Sequence, residues 1–483
     1  MHTVCNMIRR ATLLATLALA IVPSMALAEQ PGVQHLHFKF GPINIVPGQN
    51  TIDLTTQNVP RPPGPGWITS FSPNLKYPNG TVPRVDVVHL HHGVWLVDGY
   101  PTYAAGEEKT IVKVPDGFGY RYDPGQKWWL NYMIHNLTPT PTQVYLTYDM
   151  DFIPDGAPGA DQIVPVRTKW LDVAGIAAYP VFNVLKGQGR KKGEYTFPTD
   201  SPSSPAIGAA QKWTVDHDTT LVGTTGHLHP GGLHTDMYVT RDGQTVHIFR
   251  SDAHYFEPAG AVSWDVAMVS TPPNWRVLVK KGDVVSITGT YDDSRASWYE
   301  SMAIMPALIA DGDHGGVDPF TTNVDVPGVL NHGHLPENNN HGGAVSGLPD
   351  ARGMISGYTS GGPVNIKGFL YGRGDLSLTG KAGRPPTVKV GQSLTFRNLD
   401  PTSTVFHTIT GCKAPCNRTT GIAYPLANGP KTFDSGELGF GPKGFTPASN
   451  RDTWTTPKNL PVGTYTYFCR IHPFMRGAFR VVR

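Results

Sequence analysis

The stretch GTYTYFCRIHPFMRGAFRVV at residues 463–482 decides the fold of the C-terminal part of the chain. Polar and apolar residues alternate along 463–468, and this period of two predicts a β-strand that a short loop follows, with GAFRVV as the closing segment. The loop between them carries Cys469, His472 and Met475. A further histidine, His407, stands far upstream in the strand-like segment TVFHTIT at 404–410.

These four residues supply one thiolate, two imidazoles and one thioether, the ligand set of a type 1 copper site that transfers electrons. The alternative for each residue alone is a buried structural thiol or a core methionine, but the four together in this order favour copper. The segment 363–483 resembles the cupredoxins, amicyanin and plastocyanin among them. The resemblance implies a Greek-key β-sandwich in which His407, Cys469, His472 and Met475 bind the copper.

Two more cysteines, Cys412 and Cys416, stand close together, separated by Lys-Ala-Pro. In an oxidising compartment such a pair closes a small loop as a disulfide, and metal binding is the less favoured alternative. This pairing leaves Cys469 without a disulfide partner, as expected for a metal ligand.

The composition of the 483 residues indicates an all-β protein of several domains. The chain has 54 Gly and 44 Pro without a three-residue period, which excludes a helical bundle and a collagen-like fiber. Its formal net charge of +3 and the absence of a basic stripe give no reason to expect a nucleic-acid partner.

The chain divides into five segments. Residues 1–28 have two arginines, an apolar run and an Ala-Leu-Ala end, typical of a cleaved secretory signal peptide, so a periplasmic or secreted protein without stable membrane insertion is expected. Two tandem β-sandwiches of jelly-roll type are predicted at 29–180 and 181–312. A Gly/Asn/His-rich linker at 313–362 and the cupredoxin domain at 363–483 follow.

Three histidine motifs end strand-like runs in the first two domains. They are HLHHG, with His91 and His92, MIHN, with His135, and GHLHP, with His227 and His229. His227 and His229 alternate along a strand and therefore face one side, whereas adjacent His91 and His92 can share a metal where the strand twists. Imidazoles without neighbouring cysteines suit Cu, Zn or Fe.

The order His-His, His, His-x-His, Met resembles the copper type II monooxygenases, the family of peptidylglycine α-hydroxylating and dopamine β-monooxygenases, over residues 34–312. The resemblance implies an electron-transferring copper on His91, His92 and His135. It also implies a catalytic, oxygen-binding copper on His227, His229 and Met302, with Met305 as the alternative thioether.

Six other histidines are predicted not to be ligands: His35, His37, His89, His234, His247 and His254. Those of the linker, His332, His334 and His341, are predicted to be solvated, with copper capture as the minor alternative.

The function expected from these motifs is that of an exported copper monooxygenase with three copper sites. It would hydroxylate a small organic substrate with O2, and its cupredoxin domain would dock through the linker and pass on electrons from an external donor. One alternative is a non-enzymatic periplasmic copper-binding electron carrier. A multicopper oxidase or copper nitrite reductase is disfavoured, because Phe468 and Arg470 stand where histidines would flank Cys469.

Overall fold

The structure, a computed structural model, describes most of the chain from residue 32 onward. The described residues are 32–46, 52–85, 87–136, 138, 140–175, 180–185, 187–190, 193–201, 211–256, 265–294, 298–333, 359–360, 362–376, 385–400, 405–412, 433–436, 438–439, 451–469, 472 and 475–483. The predicted signal peptide lies outside them. The all-β prediction is confirmed: within these ranges the regular structure consists of strands and a 3-10 turn at Ala160–Gln162. No helix among them is long and apolar enough to cross a membrane.

Nine strands build the first sandwich. They are β1 (Gln34–Ile45), β2 (Ile52–Thr55), β3 (Gly66–Lys76), β4 (Val88–Val97), β5 (Tyr100–Ala105), β6 (Val112–Lys113), β7 (Phe118–Tyr122), β8 (Trp128–Asn136) and β9 (Thr142–Pro154). The alternation predicted in the sequence of β9 is realised, because Val144, Leu146 and Tyr148 are fully buried at every second position. The sheet β2-β8-β4-β5 provides the second layer and carries the first two histidine motifs on β4 and β8.

Fourteen strands belong to the second sandwich. They are β10 (Val164–Lys169), β11 (Val181–Val184), β12 (Glu194–Phe197), β13 (Lys212–Thr214), β14 (Thr219–Thr224), β15 (His227–Leu228), β16 (Gly232–Arg241), β17 (Gln244–Tyr255), β18 (Val266–Ser270), β19 (Val277–Val279), β20 (Val284–Asp292), β21 (Trp298–Ile304), β22 (Ala307–Asp311) and β23 (Val329–Asn331).

The two sandwiches share a sheet, which the sequence did not predict. β10 pairs in parallel with β7 of the first sandwich and antiparallel with β22 of the second, giving the order β1-β9-β3-β7-β10-β22-β14-β19. The change from the first core to the second falls between Val166 and Leu171, ahead of the predicted boundary at residue 180.

The first part of the predicted linker packs on the second sandwich. β23 pairs with β18, and Val324 belongs to the second core. Asp318 accepts two hydrogen bonds from Arg241. Residues 313–333 therefore extend the second sandwich.

The third domain consists of two small sheets. Its strands are β24 (Thr359–Ser360), β25 (Val364–Ile366), β26 (Pro386–Lys389), β27 (Thr395–Asn398), β28 (Thr410–Cys412), β29 (Thr453–Thr455), β30 (Gly463–Phe468) and β31 (Arg476–Val482). They are ordered β24-β26-β31-β30-β28 and β25-β27-β29. Leu376, Phe468 and Ala478 of this domain join the buried cluster of the second sandwich, so the two domains are in contact.

An aromatic cluster holds the layers of the first sandwich together. The ring of Phe71 stacks on Tyr103 and Tyr148, at 4.4 and 5.3 Å between centroids, and meets Trp95 edge-on at 4.8 Å. Such contacts add to the free energy gained by burying the rings.

We expect Phe71→Ala to lower the free energy of unfolding of the first sandwich by about 3–5 kcal/mol, because it empties a fully buried ring site. Urea unfolding followed by tryptophan fluorescence measures the loss. Leu54→Ala on β2, where the side chain is 60% exposed, is the control and should change stability by under about 0.5 kcal/mol. Equal effects of the two substitutions would contradict this account of the core.

Candidate metal centers

The loop after β30 brings the predicted type 1 ligands together. The amide of Cys469 donates to the carbonyl of Met475, and the amide of Met475 donates to that of His472, so two backbone hydrogen bonds close the loop. His407 approaches from a separate segment whose backbone pairs with Leu438. All four residues are buried.

Their donor atoms are grouped as a metal site requires. Within the described part of the chain, His407, Cys469 and His472 form the one group of three such residues whose ligand atoms lie within 4.8 Å of one another. Sγ of Cys469 lies 3.7 Å from Nδ1 of His472 and accepts hydrogen bonds from the amides of Thr408 and His472, at 3.3 and 3.4 Å.

The environment of these ligands favours a thiolate. Burial opposes ionisation of Cys469, but His407 and His472 beside it hold the pKa of the thiol well below its usual range. His407 is oriented by Asp400, whose Oδ2 lies 2.6 Å from Nε2, while Nδ1 is buried without a hydrogen-bond partner among the described residues. A buried thiolate beside an imidazole nitrogen left without a partner fits a soft metal such as copper.

The histidine motifs of the first two domains meet in a second center, here called the histidine cluster: His89, His91, His92, His135, His227 and His229. His91 occupies its middle. Its ring centroid lies 4.7 Å from that of His135 in the same sandwich and 4.7 Å from that of His229 in the other.

A β-bulge explains how adjacent histidines can both take part. The register of β4 against β8 shifts between Leu90 and His92, so the strict alternation of sides is broken. Nδ1 of His91 then lies 3.3 Å from Nδ1 of His92, whose Nε2 bonds to the side chain of Asn131 at 3.0 Å. The nitrogens of His91, His92 and His135 are not all within the 4.8 Å that the type 1 group achieves.

The hydroxyl of Tyr291 links the backbone of His229 to that of Met302. His229 and Met302 donate their amides to its hydroxyl oxygen, at 3.2 and 3.0 Å, and the hydroxyl donates to the carbonyl of Met302 at 2.5 Å. Met305, the alternative thioether ligand, packs in the core of the second sandwich, whereas Met302 lies outside that core cluster. The assignment of Met302 as the thioether ligand stays a prediction.

Hydrogen bonds on Nδ1 orient the paired histidines. Nδ1 of His229 donates to the carbonyl of Glu300 at 2.6 Å, and Nδ1 of His227 bonds to Oε1 of Glu108 at 3.0 Å. Nε2 is then the nitrogen of each ring suited to a metal. Glu300 has a φ of +52°, a strained backbone that places its carbonyl at His229.

Burial keeps five of the six imidazoles uncharged. Burial lowers the pKa of His92 to about 4 and that of His89 to about 3, and it holds the pKa values of His91, His135 and His229 well below the usual range. Neutral imidazoles offer their lone pairs to a metal without first losing a proton.

Sequence reasoning missed three members of this region. His89, predicted not to be a ligand, is the register partner of His135 on β8, and their ring centroids lie 4.7 Å apart. The available signal was its spacing of two from His91, which predicts a shared face. Glu107 and Glu108, also buried, belong to no motif.

The other histidines lie apart from the cluster. His35 and His37 pair with Asp151 and Asp149 on exposed β1, and His234 and His247 pair with Asp236. The ring of His254 packs against Phe256. His332 was predicted to be solvated, which is wrong, because it is 5% exposed and packs on Phe256.

Three predicted positions cannot be placed. His334, His341 and Cys416 lie outside the described residues, as does the side chain of Cys412. The disulfide therefore stays a prediction.

The domain that carries the type 1 group packs against the second sandwich through Phe468, the residue directly before Cys469. Burial, followed by the charges that His89 and His472 can carry, lowers the pKa of His135, so His472 acts electrostatically on the histidine cluster.

Comparisons with known proteins give no family assignment. No protein-family model and no curated protein matches the chain. Among solved structures, a purple cupredoxin from Nitrosopumilus maritimus is 20% identical, over 20% of this chain and 75% of its own, with a TM-score of 0.14. A Cu-containing nitrite reductase from Thermus scotoductus SA-01 is 16% identical over 55% of each chain, with a TM-score of 0.16, so the match spans about half of that enzyme. The assignment of copper here depends on the ligand atoms described above.

We expect Cys469→Ser to remove the intense visible absorption of the copper-loaded protein, because the thiolate is the donor that gives a type 1 site its charge-transfer band. Copper bound elsewhere should be retained. Absorption spectra and metal analysis of the purified protein measure both. Cys412→Ser is the matched control and should keep the band; a copper-loaded wild type without color would contradict the type 1 assignment.

Proposed function

We propose that the protein is an exported copper-dependent monooxygenase. It would hydroxylate a small organic substrate, R–H + O2 + 2 e⁻ + 2 H⁺ giving R–OH + H2O, with both electrons supplied by an external donor. Bound copper would supply one-electron transfer at the type 1 ligands and reaction with O2 at the histidine cluster. The observation that carries the proposal is the close grouping of the type 1 ligand atoms in a domain that packs against the second sandwich through Phe468.

This packing supports an internal route for electrons. The ring of His135 touches that of His91, which in turn touches that of His229, so these imidazoles form a continuous series across the two sandwiches. His472, a proposed type 1 ligand, influences His135 electrostatically at the first end of the series. Such a route would carry electrons away from the type 1 site without the histidines that flank the cysteine in multicopper oxidases and that Cys469 lacks.

The division of roles within the histidine cluster follows from its partners. We assign His91, His92 and His135 to the electron-receiving metal because they lie together on the first sandwich and His472 influences His135. His227, His229 and Met302 are assigned to the oxygen-binding metal, since they lie on the second sandwich, where the amides of His229 and Met302 bond to the same hydroxyl of Tyr291.

A cavity between the two sandwiches is the proposed substrate site. It has a volume of about 630 Å³, in the range usual for small-molecule sites, and its walls include Trp170, Val222, Leu308 and Leu330. Several of its hydroxyl groups are satisfied within the protein: those of Tyr120 and Thr168 lie 2.7 Å apart, and Thr224 donates to the carbonyl of Pro306. Such walls favour an apolar substrate.

We expect the wild type to bind three copper ions per chain, one of type 1 and two of type 2 character, by metal analysis and EPR. His229→Ala should lose one type 2 copper and all substrate-dependent O2 uptake, since it removes a ligand of the proposed oxygen site, and should keep the blue band. His35→Ala, on the exposed face of β1, is the control. A single copper ion in the wild type would favour the electron-carrier alternative.

His135→Ala is expected to slow electron passage out of the type 1 site, because it interrupts the series of imidazoles between His472 and His91. The protein is reduced without oxygen and mixed with O2, and recovery of the blue absorption is followed by stopped flow. The initial band should be unchanged. Recovery at the wild-type rate would show that electrons leave the type 1 site by another path.

A further inference from the structure

The turn after β5, in the first sandwich, places the carboxylate of Glu108 beside His227, which belongs to the second sandwich. Residues Gly106–Lys109 form this turn, in which the amide of Lys109 donates to the carbonyl of Gly106. Oε1 of Glu108 accepts the amide of Gly106 at 2.7 Å and meets Nδ1 of His227 at 3.0 Å. The side chain of Glu108 is 4% exposed and that of His227 13%.

The turn is shaped for this contact. Lys109 has a φ of +46°, in the left-handed region that costs a lysine energy. A Cβ on Gly106 would lie 2.5 Å from Oε2 of Glu108 and 2.7 Å from Cε1 of His227, so a larger residue would displace one of them. A Cβ on Gly333 would lie 2.3 Å from the carbonyl oxygen of Lys109, which shows how closely the extended second sandwich covers the turn.

His227 is distinguished from the other oriented histidines by the charge of its partner. His92 bonds to the amide of Asn131, His89 to the carbonyl of Val85 and His229 to that of Glu300, all neutral groups. An ionised carboxylate on Nδ1 fixes the tautomer, makes Nε2 more basic and adds a negative charge near a bound cation. Its charge also stabilises Cu(II) relative to Cu(I).

We propose that Glu108 is a positioning residue that reaches across from the first sandwich and fixes His227 for metal binding on the second. This rests on the function proposed above, since it assigns a role toward the metal at His227 and His229. Because the carboxylate and the imidazole come from different sandwiches, the same contact ties the two halves of the cluster together.

The test is copper affinity of the full mature chain, measured by competition with a chelator and followed by type 2 EPR. Glu108→Gln can still accept the hydrogen bond from His227 but lacks the charge, and should weaken the copper site at His227 and His229 about 10- to 100-fold. It should also raise the reduction potential of that site. The blue absorption should not change.

Glu107→Gln is the matched control, because Glu107 has the same turn and burial but pairs with Lys109 at 3.2 Å and accepts the amide of Leu90. It should leave the affinity at His227 and His229 within about twofold of the wild type. In a His229→Ala background, Glu108→Gln should cause no further loss of copper, since coupled residues are not additive.

The possible failures are distinguishable. A wild type without copper at His227 and His229 would overturn the proposed function itself. A wild type that binds it, with Glu108→Gln binding equally tightly and at the same potential, would overturn only the role of Glu108. An equal loss in Glu107→Gln would likewise overturn it, because the effect would then belong to the fold of the turn.

Discussion

The parallel pairing of β7 with β10 is the constraint on which the arrangement of both sandwiches depends. Through it one sheet runs from β1 to β19, so the sandwiches cannot turn against each other without breaking backbone hydrogen bonds. His91 and His229 sit on different sandwiches, yet their rings are in contact. In two domains joined only by a loop, no backbone pairing would hold these two rings in contact.

The shared sheet brings the sandwiches together and so buries many titratable groups. Six imidazoles within one cluster could not all be charged, because like charges at such distances repel strongly in a dry interior. Burial resolves this by keeping five of the rings neutral, those of His89, His91, His92, His135 and His229. Each carboxylate that reaches the cluster also has a basic partner, since Glu108 pairs with His227 and Glu107 with Lys109. Burial still raises the pKa of Glu107 to about 7. Five neutral donors of the cluster thus lie near a buried carboxylate, that of Glu108.

Local pattern was enough to predict the β-class and most of the candidate ligands. Cys469, His472 and Met475 lie within one loop, and the histidine pairs are adjacent or alternate in sequence, so spacing alone indicates a shared metal. The features that the sequence could not predict depend on pairing between residues far apart in the chain. The bulge that admits His91, the register that sets His89 opposite His135, and the sheet shared by the sandwiches join residues far apart in the chain. Glu108 was missed for the same reason, since its partner lies 119 residues away.

The position of the third domain changes how electron supply should be understood. A flexible linker would make transfer depend on how often the cupredoxin domain docks. Residues up to 333 are instead built into the second sandwich, and Phe468, directly before the Cys469 ligand, packs in the core that the two domains share. The copper ligand loop is therefore anchored against the neighbouring domain by the same burial that stabilises β30. Because this contact is apolar, we expect it to depend less on ionic strength than docking by surface charge, which weakens with salt.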